Sequence, residues 1–69
     1  MEIHEWMATI WNANYPPGTE VRVITDDRKI ERTRTRSVAW PLPSGEAVVS
    51  LEGKSGGYSL KRVTPDDIN

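Results

Sequence analysis

Ile3, Trp6, Met7, Ile10, Trp11 and Asn14 recur at steps of three and four, which lays them along one stripe of a helix. His4, Glu5, Thr9, Asn12 and Ala13 fall away from that stripe. Glu2 and Glu5 stand in the first turn, where carboxylates suit the helix dipole. Asn12 and Asn14, followed by Tyr15-Pro16-Pro17-Gly18, end the segment, because neither proline fits a helix interior. The spacing therefore predicts a helix over 1–14. A helix this short is marginal alone and must dock. Ile3, Met7 and Ile10 are its expected docking residues, with Trp6 or Trp11 left at the margin.

From Thr19 the period changes to two. Val21 and Val23 alternate with Glu20, Arg22 and, at the strand's end, Ile24, a strand over 19–25, and Asp26-Asp27-Arg28-Lys29 is a polar turn. A second extended stretch runs from Ile30 to Trp40. Pro41-Leu42-Pro43-Ser44-Gly45 is a loop, since two prolines and a glycine defeat a ladder. Residues 47–51 read as a third strand, 52–57 as a turn, 58–60 as the start of a fourth strand, and 62–64 as a short last one. Val21, Val23, Val49, Leu51, Tyr58, Leu60 and Val63 are expected to line one core. The fold class this predicts is mainly β, in one domain over 1–69. A short N-terminal helix (1–14) precedes a small SH3-like antiparallel barrel of four to five strands (19–64) and a tail (65–69). An open four-stranded sheet with the helix across it is the alternative.

The second stretch does not fit a plain strand. Ile30, Arg32, Arg34, Arg36, Val38 and Trp40 share one parity, yet its ends call for burial and its middle for water. A bulge or protruding arm around residues 32–37 would resolve the conflict.

Composition narrows the function. Apolar residues make up 36% of the 69, charged residues 28%, and the net charge is −1. No apolar run exceeds three residues, so neither a membrane span nor a signal peptide is expected. Cysteine is absent, which removes disulfides, thiolate nucleophiles and sulfur-ligated metal sites together. Against the overall balance, residues 28–36 set Arg28, Lys29, Arg32, Arg34 and Arg36 against Glu31 alone, a local charge of +4. Alternation places Arg32, Arg34 and Arg36 on one strand face, about 6.6–7 Å apart. Such a row either protects an edge strand or meets an acidic partner.

Catalytic chemistry finds little support. His4 is the single histidine and has no second ligand beside it. Gly53, Gly56 and Gly57 lie in a hairpin with no following helix to receive a phosphate. The acidic pairs Asp26-Asp27 and Asp66-Asp67 face apart on a strand or cap a turn, whereas a shared acid–base site needs carboxylates that converge and are partly buried. No enzyme activity, cofactor or metal is expected.

Three segments carry a resemblance: Gly-Thr-Glu-Val-Arg-Val at 18–23, Thr-Arg-Ser-Val-Ala-Trp at 35–40, and Val-Val-Ser-Leu-Glu-Gly-Lys-Ser-Gly-Gly-Tyr-Ser-Leu-Lys-Arg-Val at 48–63. Together they resemble small uncharacterised proteins of tailed bacteriophages and prophages. The likeness spans roughly 18–63 and leaves the helix outside. It implies a phage or prophage origin, a bacterial cytoplasm and an SH3-like shape, and it implies no activity.

The reading that follows is a small phage-type protein-interaction module, binding a host or phage protein or a second copy of itself. Trp6, Trp11, Arg32, Arg34 and Arg36 are its candidate partner-binding residues, since aromatics and Arg dominate interface hot spots. The alternative is a nucleic-acid-binding barrel using Arg32, Arg34, Arg36, Lys61 and Arg62 on phosphates. The overall acidity and the lack of an aromatic within 28–36 weigh against it. No membrane or small-molecule partner is expected.

Overall fold

A computed structural model describes residues 3–66, with side chains from Met7 onward. Helix α1 (Ile3–Asn14) precedes six short strands: β1 (Glu20–Ile24), β2 (Ile30–Arg34), β3 (Trp40–Pro41), β4 (Ala47–Ser50), β5 (Gly57–Ser59) and β6 (Val63–Pro65). A 3-10 turn, Leu60–Arg62, joins the last two. The strands form two antiparallel sheets, ordered β2-β1-β6 and β3-β4-β5. The protein is thus mainly β with one short helix. It has six strands rather than four or five, and no ladder joins β5 to β6 among the described residues.

The expected second strand is two strands separated by an excursion. Thr35 bridges Leu51, while Trp40 pairs with Val48. Residues 36–39 therefore face only Val49 and Ser50 across the gap, an insertion that bends the strand. It lies later than the 32–37 expected. Its polar backbone is satisfied from elsewhere. Ser37 Oγ accepts from the Ser50 N–H (3.2 Å), and Asn12 pairs with Ala39 at both backbone groups.

The burial expected at the ends of the 30–40 stretch is not found. Ile30 is 67% exposed and Val38 53%, and Trp40 also reaches solvent, so the ends never required burial. The inward parity of β2 is instead Glu31, Thr33 and Thr35. Of these only Thr35 is buried, its hydroxyl accepting from the Thr19 N–H and donating to the Pro16 carbonyl.

One core joins both sheets and the helix. Val21, Val23 and Val63 come from the first sheet, and Ala47, Val49 and Leu51 from β4 and its end. Ala8, Trp11 and Ala39 complete it, with Met7, Tyr15, Tyr58 and Leu60 packed at its edge. The seven core positions expected from period two all belong to it, Tyr58 and Leu60 at half burial. The helix docks on a different face from the one expected. Ile10 is half-exposed and Trp11 is buried, because Met7, Ala8, Trp11 and Tyr15 face the core. Turning the indole inward removes more apolar surface from water than turning Ile10 inward would. The side chains of Ile3, His4 and Trp6 lie outside the described residues.

On the outer face of the second sheet, Trp40 and Val48 leave no space beside Gly57. A Cβ there would come within 2.8 Å of Val48 Cγ2 and 3.2 Å of Trp40 Cη2. Gly57→Ala is therefore expected to cost about 1–3 kcal/mol through overpacking. Chemical unfolding monitored by tryptophan emission checks this, and an unchanged midpoint would contradict the packing.

Candidate functional site

The outer face of the β1–β2 hairpin is set by register. Glu20 pairs with Arg34, Arg22 with Arg32, and Ile24 with Ile30. Because Val21 and Val23 point into the core, these six side chains point out. Loop 25–29 closes the hairpin, with Arg28 in the left-handed region (φ 63°), where such loops usually place glycine. Thr25 organises the loop. Its backbone N–H donates to the Lys29 carbonyl (2.8 Å), and its hydroxyl donates to the Asp27 carboxylate. That hydroxyl holds the Asp27 carboxyl below its ordinary pKa, so its contribution to stability is present above the unfolded value and fades as pH falls.

Most of the cations on and around this face are already answered. Asp66, its side chain 4% exposed, accepts from Arg22 Nε (3.2 Å) and lies 3.6 Å from Arg32 Nε. Its backbone N–H donates to the Glu20 carbonyl (2.8 Å), which fixes the carboxylate between the two guanidiniums. Arg34 reaches Glu20 at 3.4 Å, and Arg36 donates to the Lys54 carbonyl at 3.2 Å. Lys54 in turn donates to Glu31, whose carboxylate raises the pKa of the amine. Among the described residues Arg28 makes no ion pair, and Lys29 meets Asp27 only at 3.9 Å.

The sequence-derived sets separate accordingly. Arg32 and Arg34 share the outer face of β2, while Arg36 lies beyond the bridge at Thr35. Lys61 is drawn to Glu46 at 3.6 Å. Arg62 holds Asp26 at 2.9 Å and the Ile24 carbonyl at 2.9 Å, with its guanidinium 5.6 Å from the Tyr58 ring centre. Trp11 is core and offers no surface to a partner. The depression beside Arg32 and Arg34, about 320 Å³, is also lined by Glu20, Glu52 and Asp66. Three carboxylates against two guanidiniums make a poor seat for phosphate.

The same face also exposes apolar surface. Ile24 (47% exposed) and Ile30 (67% exposed) form a cross-strand pair, with a shallow depression of about 190 Å³ between them, Arg22 and Thr64. Alternation with Val21 and Val23 set Ile24 on the outer face from the sequence alone, whereas Ile30 was expected to be buried. Their signal was parity: once Val21 and Val23 face inward, Ile24 and its hairpin partner face out. Asp66 was missed because nothing local marks a carboxylate that meets residues 44 and 34 positions away.

Among the described residues no three His, Cys, Asp or Glu side chains are placed to hold a metal, and no helix is long and apolar enough to cross a membrane. No protein-family model, curated protein or solved structure matches this chain.

Proposed function

We propose that this chain is a small protein-binding module of SH3-like strand order, with its contact surface on the outer face of the β1–β2 hairpin. The observation that carries the reading is the Ile24–Ile30 pair, exposed side by side and flanked by Arg22 and Arg32. Apolar anchors beside arginine are the composition of an interface centre. Trp40 is the weaker candidate, because it already packs over Gly57 beside Val48. The SH3-like reading rests on strand order: β1 lies between β2 and β6, and β3, β4 and β5 follow as antiparallel neighbours. A phage or prophage origin and a bacterial cytoplasm rest on the sequence resemblance alone. A second copy bound through the helix loses one of its two anchors with Trp11 buried.

The test uses the full chain immobilised against nuclease-treated bacterial lysate. Ile24→Glu and Ile30→Glu should each weaken capture of a specific protein at least about tenfold, as loss of a hot-spot anchor does. Their thermal unfolding should stay close to that of the parent, since both side chains are exposed. Capture indifferent to both substitutions would remove the reading. Duplex DNA bound at micromolar protein in about 150 mM salt would replace it with the nucleic-acid alternative.

A further inference from the structure

The contact surface ends at an unpaired strand edge. β2 has β1 on one side. On the other, the chain's own residues 50–52 run antiparallel to it only as far as Arg34: the Arg36 N–H donates to the Ser50 carbonyl (3.0 Å), and the Glu52 N–H to the Arg34 carbonyl (2.9 Å). The chain then turns away at Gly53 (φ 77°). Backbone groups alternate in direction along a strand, and those of Arg34 and Arg36 point away from β1. The N–H and C=O of Arg32 and Ile30 therefore point the same way, and among the described residues nothing in the chain meets them. β2 is also the most exposed of the longer strands: only Thr33 among its residues is even partly covered.

The geometry points to an acidic, extended segment of a partner protein that adds to this edge as an antiparallel strand. The inference rests on the protein-binding reading above and names the occupant. Register sets its pattern. Glu52 already stands opposite Arg34, so an incoming strand continues the line that Glu52 leaves, and its next outward residue falls opposite Arg32. The Arg32 Nε lies 3.6 Å from the Asp66 carboxylate and the side chain is 74% exposed, so the guanidinium can be approached from solvent by a second carboxylate. The residue after next falls opposite Ile30, beside Ile24. Anything beyond lies near Lys29 and Arg28, the two cations with weak or no ion pairs. The occupant thus reads, from its N-terminus, acid, any residue, large aliphatic, any residue, acid.

The same edge turns away a second copy of itself. Two β2 strands paired antiparallel about Arg32 would set guanidinium against guanidinium and Ile30 against Arg34. The charges that protect the edge from self-pairing are the ones that admit an acidic strand.

A capped synthetic peptide, Thr-Glu-Thr-Ile-Thr-Glu-Thr, titrated into the ¹⁵N-labelled full chain, tests this. Amide shifts should centre on Ile30 and Arg32, and hydrogen exchange at the Arg32 amide should slow. Methylating the backbone nitrogen of the peptide's first Glu removes a ladder bond without touching charge, and should weaken binding at least about tenfold. Replacing both peptide Glu by Lys should abolish binding, and Arg32→Glu should reverse that preference. Equal binding of the methylated peptide, equal binding of the Lys peptide, shifts confined to other elements, or no shift at about 1 mM peptide would each overturn strand addition. Should it fail while capture still depends on Ile30, the protein-binding reading stands and only the occupant is wrong. Should capture ignore Ile24 and Ile30, the reading itself falls.

Discussion

Trp11→Ala is expected to unfold much of the population at 25 °C. Removing a buried tryptophan costs about 3–5 kcal/mol, because the cavity adds to the lost transfer energy. At about 0.05–0.15 kcal/mol per residue, a chain of 69 residues holds roughly 3–10 kcal/mol in all. Trp11 is 8% exposed and belongs to the core that the helix shares with the strands, with its ring 4.7 Å from that of Tyr15. Trp11→Phe should behave very differently. The indole Nε1 is buried without a hydrogen-bond partner among the described residues, and such a donor costs about 1–3 kcal/mol. Phenylalanine drops that donor while keeping most of the ring, so the two effects should offset to within about 1 kcal/mol. Urea unfolding of both variants decides it. A Trp11→Ala midpoint near that of the parent would show the helix to be dispensable to the core.

Asn12→Ala should be nearly as damaging, although it deletes no apolar surface. The Asn12 amide mimics a strand neighbour: Nδ2 donates to the Ala39 carbonyl (2.9 Å), and Oδ1 accepts from the Ala39 N–H (2.7 Å). Ala39 is buried, so its two backbone groups would be left unpaired. At about 1–3 kcal/mol for each buried orphan, a loss of roughly 2–6 kcal/mol is expected. Asn12→Asp keeps the acceptor and loses the donor, and should fall between. Hydrogen exchange at the Ala39 amide reads the contact directly. Protection unchanged in Asn12→Ala would show that the side chain does not hold the excursion.

These two neighbours mark where the sequence was legible and where it was not. Strand periodicity in Val21, Val23, Val49 and Leu51 is strict, and each is fully buried. On the helix, apolar residues fill so much of the circumference that periodicity admits more than one docking face. Volume decides, and Trp11 goes in where Ile10 stays out. Asn12 looked like a solvent-facing polar residue, because its partner lies 27 positions away across an insertion that no local pattern announces. The arginine row was legible as an edge-strand device on β2. Its neutralisation was not, since Asp66 and Glu20 reach it only through the pairing of β1 with both β2 and β6.

The position of β1 between those two strands bears on the order of folding. Its contact with β2 closes a loop of five residues, 25–29, whereas its contact with β6 joins Val21 to Pro65 across most of the chain. Loop entropy favours the first pairing over the second, so the hairpin is expected to form early and β6 to dock after it. Changes within β1 and β2 then act mainly on how fast the protein folds. Changes in β6, and in the Asp66 carboxylate that fastens its end, act mainly on how long the folded state lasts.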